Sequence, residues 1–321
     1  CAVSHSIVGS VTIDNTTTTS SSSPTTPSSD LTNGVASILN TNPLLAAAMS
    51  GGEKAQPQGG EKPIVVLLTG PTGAGKTLAT LFLLNKKPIK EVIVQVDENT
   101  SVRVLDVELT EEEKKGPLGD LVVGHASKSQ TKNLTVVELM QPSSTPTGQK
   151  VLLVDSAGFS DSGGPWKDLA NMVGLKTCVD ASSLMLPILV VNYHSLKAER
   201  SKLAMELFRL MGGLFVNEKA WKKSLLVFIT QFESASPSDI AGQFASVGKE
   251  LKKEDVSDTT EKRKEKRMAA KFVKFIKEDL VEHAHDVPEG RSTVTNQRVL
   301  LLNPLDPVQS PVSHFLNAIQ Q

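Results

Sequence analysis

One stretch constrains this chain more than any other: Ile64-Val-Val-Leu-Leu-Thr-Gly-Pro-Thr-Gly-Ala-Gly-Lys-Thr77. A short apolar run with strand character enters a glycine-rich turn. The residues after it, Leu78-Ala-Thr-Leu-Phe-Leu-Leu84, read as a helix. Gly70, Gly75, Lys76 and Thr77 meet the pattern G-x-x-x-x-G-K-[ST], and Gly73 adds a second flexible point. In such a loop the backbone N–H groups of Gly70, Pro71, Thr72, Gly73, Ala74 and Gly75 (proline excepted) wrap a phosphate, and the helix behind offers its positive end. Lys76 is then placed for the β and γ oxygens, and the Thr77 hydroxyl for Mg²⁺. The order strand, loop, helix implies nucleotide binding.

Around this stretch the chain alternates strand and helix from Lys62 onward, which predicts a three-layer α/β fold of the phosphate-loop NTPase class, G-domain-like, with a mostly parallel central sheet. Strands are expected at Ile64–Thr69, Ile93–Val96, Val102–Val107, Thr135–Leu139, Val151–Val154, Leu186–Val191, Leu225–Ile229 and Val299–Leu302. A charged turn is expected at Glu111–Leu118, and helices at Leu203–Leu214 and Pro311–Gln321. Residues 1–60 are rich in Ser, Thr and Pro and too poor in apolar side chains to offset chain entropy, so a disordered arm and linker are expected there. The domain then spans 61–321, with a charged helical insertion at about 234–297.

Composition sets bounds on function. Thirty-four basic and 35 acidic residues leave a net charge of −1, which gives no support to bulk nucleic-acid or electrostatic membrane binding. The basic run Glu261-Lys-Arg-Lys-Glu-Lys-Arg267 is interrupted by glutamates and reads as the solvated start of an amphipathic helix. Only Cys1 and Cys178 occur, so no disulfide framework exists and an intracellular, cytoplasmic setting is expected. No apolar run reaches the roughly 18–20 residues of a membrane span. The start at Cys1 rather than Met reads as a fragment.

A second motif follows a second buried strand. Val151-Leu-Leu-Val runs into Asp155-Ser-Ala-Gly158, the D-x-x-G pattern, in which the Asp holds Mg²⁺ through water and the Gly N–H meets the γ-phosphate. An ATPase of the motor type would carry Glu directly after the Asp, and here Ser156 stands. The metal shell also needs a hydroxyl from the loop between the motifs. Thr131 is the expected ligand, with Ser129 and Ser127 as alternatives and His125 as incidental. After the strand Leu225–Ile229, Thr230-Gln-Phe-Glu233 occupies the place of the guanine-reading [NT]-K-x-D. Gln231 stands for the Lys that lies along the base, and Glu233 for an Asp one methylene shorter. GTP and GDP are thus favoured over ATP. Phe159 follows Gly158, where a water-orienting Gln would stand; Ser160, Asp161 or a partner's group could serve instead.

Thr69–Thr77, the hydroxyl-rich 124–132 loop, Asp155-Ser-Ala-Gly-Phe-Ser-Asp161 and Gly163-Gly-Pro-Trp-Lys-Asp-Leu-Ala-Asn171 together resemble the septin-like GTPases, a group that includes septins, immune-associated GTPases and chloroplast-import receptor GTPases. The protist members are the most similar. The resemblance covers about residues 62–232 and 298–320. It implies a GTPase-type domain that often pairs across its nucleotide face, in a homodimer or an assembly. Two other readings stay open: a degenerate nucleotide-binding structural module without hydrolysis, and a phosphate-loop ATPase or kinase.

Overall fold

The computed structural model describes residues 62–86, 89–97, 100–121, 123, 134–140, 149–156, 158, 174–198, 202, 205–207, 218–231, 235–253, 258–283 and 298–302. The expected arm at 1–60 and the expected helix at Pro311–Gln321 lie outside these residues.

Six strands form the central sheet in the order β4-β5-β1-β6-β7-β8, namely β4 (Thr135–Met140), β5 (Val151–Asp155), β1 (Ile64–Thr69), β6 (Leu184–Asn192), β7 (Leu226–Thr230) and β8 (Val299–Leu301). Every neighbouring pair is parallel except β4–β5, which is antiparallel. Unbroken apolar runs make this possible. β1, β5 and β7 are buried along their whole length, as a parallel strand covered on both faces must be.

The two-residue period sorts the side chains into two layers. Ile64, Val66 and Leu68 of β1 join Leu186, Ile188 and Val190 of β6 on one face, under Ala79, Phe82 and Leu83 of helix α1 (Lys76–Leu83). Val65 and Leu67 point the other way, toward Leu175 and Cys178 of the helical residues 174–181. On that same face Val227 and Ile229 of β7 meet α2 (Pro237–Leu251) and α3 (Thr260–His283), which supply Phe244, Val247, Phe272 and Ile276. Helices therefore cover both faces of one mostly parallel sheet. This is the three-layer phosphate-loop NTPase fold, with the strand order of a G domain.

The charged segment at about 234–297 is thus also the crossover from β7 to β8. Most of its described charged side chains are exposed or half-buried, Asp258 and Asp279 excepted, while the apolar stripe of each helix is core. Ser236 starts α2 with a reciprocal cap: its hydroxyl accepts from Asp239 N, and the Asp239 carboxylate accepts from Ser236 N. Ahead of α3, Asp258 is paired with Lys262 and Lys266. Its two ammonium partners lower the carboxyl to about 2.

Two expected strands do not belong to the sheet. Among the described residues, β2 (Ile89–Asp97) and β3 (Thr100–Val107) pair only with each other, as a separate antiparallel hairpin. Apolar alternation identifies a strand without saying what it pairs with. The base of the hairpin is tied to the domain where Val107 packs with Leu81 of α1 and Leu121. The expected turn at Glu111–Leu118 is a short helix, Glu111–Lys114, followed by a 3₁₀ turn at Pro117–Asp120. Thr110 and Glu113 cap that helix reciprocally, and Glu113 also takes an ion pair from Lys86.

Candidate functional site

The parallel strands all end on one edge, and the chain leaves β1 toward β5 on one side and β6 on the other. Ligands of open α/β sheets bind at that kind of reversal, beyond the carboxyl ends of the strands. The loop 70–75 lies there.

Its backbone needs glycine. Gly70 has φ +151, and a Cβ built on it would fall 2.3 Å from the Val190 carbonyl oxygen of β6. Gly75, the residue before α1, has φ +85 and gives the helix no side-chain cap. The first N–H groups of α1 are thereby left for a ligand, with no acidic side chain in the first turn. Lys76 is buried, and its ammonium donates to the carbonyls of Gly70 (3.1 Å) and Pro71 (2.8 Å). It is held across the loop it would serve.

Across from the helix stands Asp155, at the end of β5 and fully buried. The Thr77 hydroxyl donates to its Oδ2 at 2.8 Å. Its other oxygen, Oδ1, is buried with no hydrogen-bond partner among the described residues. Burial pushes the Asp155 carboxyl up to about 6, against the opposing pull of Lys76 and the Thr77 hydroxyl. A carboxylate so placed is costly unless a cation meets it. A hard divalent ion fits this donor set, because Thr77 and Asp155 supply oxygens and leave the remaining positions to water and phosphate. The two motifs, 78 residues apart, are brought into one site.

Gly158 closes against the loop from the same side. A Cβ there would fall 2.2 Å from Thr72 Oγ1 and 2.7 Å from Thr72 N, so only glycine allows the approach. Ser156 keeps that segment in register by donating its N–H to the Leu68 carbonyl of β1 (3.3 Å).

Thr230 and Gln231 lie at the end of β7, beside the loop 70–75. The Thr230 hydroxyl is buried and donates to the Ala74 carbonyl at 2.7 Å, so it braces the phosphate loop. Gln231 has a left-handed φ of 52 and an exposed side chain; its amide nitrogen lies 3.5 Å from the Gly73 carbonyl. Glu233, Thr131, Ser127, Ser129, His125, Phe159, Ser160 and Asp161 lie outside the described residues.

Sequence reading missed Asn192, the last residue of β6. Its amide nitrogen donates to Gln231 Oε1 at 2.6 Å and approaches the Gly73 carbonyl at 3.4 Å. Its Oδ1 accepts from His194 N (2.7 Å) and Ser195 N (3.3 Å), capping the helical residues 193–198. An Asn between an apolar strand and a helical stretch is a cap signal, and that signal was there to find. Cys178 is not part of the site. It packs in the core, where burial pushes its thiol up to about 12.

The chain matches no protein-family model and no curated protein. Solved structures to which it is similar include the signal recognition particle receptor SRb-GTP/SRX complex from Chaetomium thermophilum, at 20% identity and a TM-score of 0.30. That similarity covers 62% of this chain and 86% of the other. At that score it decides nothing about this chain; the fold rests on the strand order and the covered faces. No helix among the described residues is long and apolar enough to cross a membrane.

Proposed function

We propose that this chain binds guanine nucleotide with Mg²⁺ and hydrolyses GTP slowly, acting as a switch or assembly module. One observation carries the reading: Thr77 Oγ1 and Asp155 Oδ2 meet at 2.8 Å beside the uncapped start of α1, with a bare, buried oxygen left on Asp155.

In this reading the loop N–H groups hold the phosphates, and Lys76 exchanges its two loop carbonyls for the β and γ oxygens. Thr77, Asp155 (through water) and Thr131 would hold Mg²⁺. The ion's chemistry is to neutralise charge on the β and γ phosphates. Gly158 N–H meets the terminal phosphate, so the segment after β5 responds to its loss. Glu233 accepts from the guanine ring N–H and amine. Thr230 and Gln231 support the loop and the base from below. The septin-like resemblance supports the same assignment, a pairing across the nucleotide face and an intracellular setting. The Ser/Thr/Pro-rich stretch 1–60 is an arm and linker to the domain at 61–321 in this reading.

Slow turnover follows from Phe159, which cannot orient water as a Gln at that position would. A second reading, nucleotide held without hydrolysis, draws on the departures from the GTPase motifs, Phe159 in place of a water-orienting Gln and Gln231 in place of the Lys that lies along the base. Titrating GTP, GDP and ATP into the protein with and without Mg²⁺ tests the first. Binding of guanine nucleotides that tightens with Mg²⁺ is expected, with ATP weaker. Equal affinity for ATP, or no effect of Mg²⁺, would refute it. Product formation separates the slow GTPase from the module that only binds.

A further inference from the structure

The phosphate loop carries one side chain whose chemistry the reading above leaves unused. The Thr72 Oγ1 atom is buried and has no hydrogen-bond partner among the described residues. A hydroxyl in that position is costly, because its water partners are lost and nothing replaces them. Its neighbour is Gly158, packed so closely that no methyl, and hence no water, fits between them. On the other side of Thr72 is Pro71, whose carbonyl holds the Lys76 ammonium at 2.8 Å. The hydroxyl therefore sits between the amine expected to bind the outer phosphates and the glycine expected to sense the last one.

We infer that Thr72 is a terminal-phosphate discriminator: its hydroxyl, packed beside Gly158, donates to a γ-phosphate oxygen when a nucleoside triphosphate binds. This rests on the proposed nucleotide-binding reading and adds a side-chain contact that a phosphate loop does not require. A diphosphate ends before this position and leaves the hydroxyl unpaired. A triphosphate moves Gly158 off Thr72 and satisfies the hydroxyl in the same step. Recognition of the last phosphate and the shift of Gly158 from Thr72 onto that phosphate are thereby one event, so Thr72 sets how strongly triphosphate is preferred to diphosphate.

The test uses the full chain and calorimetry with a non-hydrolysable GTP analogue and with GDP, both in Mg²⁺, on wild type, Thr72→Val and Thr72→Ser. A hydrogen bond to a charged group corresponds to about 10- to 100-fold in affinity. Thr72→Val should lower the ratio of triphosphate to diphosphate affinity by about tenfold or more, and Thr72→Ser should keep it within about threefold. Without nucleotide, Thr72→Val should melt no lower than wild type, because the lost hydroxyl had no partner. Equal weakening of both nucleotides, an unchanged ratio, or a lower melting temperature without nucleotide would overturn the inference. If Thr72→Val does not fold, Thr72→Ala against Thr72→Ser carries the same comparison. Lys76→Ala separates the two levels of claim. Wild-type binding that is absent, or that survives Lys76→Ala, refutes the nucleotide reading and this inference with it. Lys76-dependent binding with an unchanged ratio refutes the inference alone.

Discussion

The Thr230 hydroxyl donates to the Ala74 carbonyl at 2.7 Å, joining the end of β7 to the middle of the phosphate loop. Thr230 also lies along Gly75, with its Oγ1, Cγ2 and Cβ 3.7–3.9 Å from where a Cβ on that glycine would stand. The end of β7 thus fixes the 70–75 loop.

Thr230→Val keeps the shape and removes the donor, leaving a buried carbonyl unpaired. Such a loss costs about 1–3 kcal/mol. The melting temperature should fall and nucleotide affinity should drop by about tenfold, whereas Thr230→Ser should retain both. Calorimetry and thermal melts on the three proteins check this. Unchanged affinity in a destabilised Thr230→Val would show that the contact serves the fold alone.

Asp155 gives a prediction with opposite signs in two states. Its carboxyl is raised from the ordinary 3.8 to about 6, chiefly by burial. A raised folded-state value means that its favourable contribution is fully present below about pH 4 and lost as pH climbs through 6. By pH 7.5 the charged form costs the nucleotide-free protein up to about 3 kcal/mol. Asp155→Asn should therefore stabilise the nucleotide-free protein at pH 7.5 and change little at pH 4, while removing the Mg²⁺-dependent part of triphosphate affinity. Urea unfolding at the two pH values and titration with and without Mg²⁺ measure the two arms. A less stable Asp155→Asn at pH 7.5 would contradict the burial argument.

Much of this was legible because apolar runs and loop chemistry are local. Four uninterrupted strands and two motifs placed β1, β5, β6, β7, Lys76, Thr77 and Asp155 without any long-range information. What was not legible depends on partners. The strands at 89–107 alternate as sheet strands do, yet only three-dimensional pairing shows that they form a hairpin of their own. Thr230 reads as part of a base motif, and its hydroxyl turns inward because a buried loop carbonyl needs a donor. Asn192 belongs to no spaced pattern; it matters because β6 ends beside Gly73 and Gln231.

Asp279 is another such long-range device, away from the candidate site. Late in α3, it accepts from Arg298 N (3.1 and 3.2 Å) and Val299 N (2.7 Å), pinning the start of β8. Asp279→Ala strands these backbone donors and should cost about 2–3 kcal/mol. Asp279→Asn keeps one acceptor oxygen and should cost about half of that. Nucleotide affinity of the folded fraction should be unchanged in both. Denaturant midpoints with parallel titrations decide it; a coupled loss of affinity would mean that β8 reports to the phosphate loop.

The loop glycines separate two kinds of constraint. Gly73 has φ +76, and nothing lies within 4 Å of where its Cβ would stand, so Gly73→Ala pays only for the left-handed backbone, about 1–2 kcal/mol. Gly70 is different. Its φ is +151, and its Cβ would fall 2.3 Å from the Val190 carbonyl oxygen, a backbone atom of the central strand β6 that cannot swing aside. To admit the methyl, the loop must leave β6, and the Gly70 and Pro71 carbonyls that hold Lys76 must move with it. Gly70→Ala should therefore cost more than about 3 kcal/mol, above the ordinary range for a point substitution, and abolish nucleotide binding. Gly73→Ala should fold and bind more weakly. Thermal melts rank the two, and titration of the surviving protein shows whether the loop keeps its shape. A Gly70→Ala protein as stable as Gly73→Ala would mean that the first loop glycine does not press on β6 in solution.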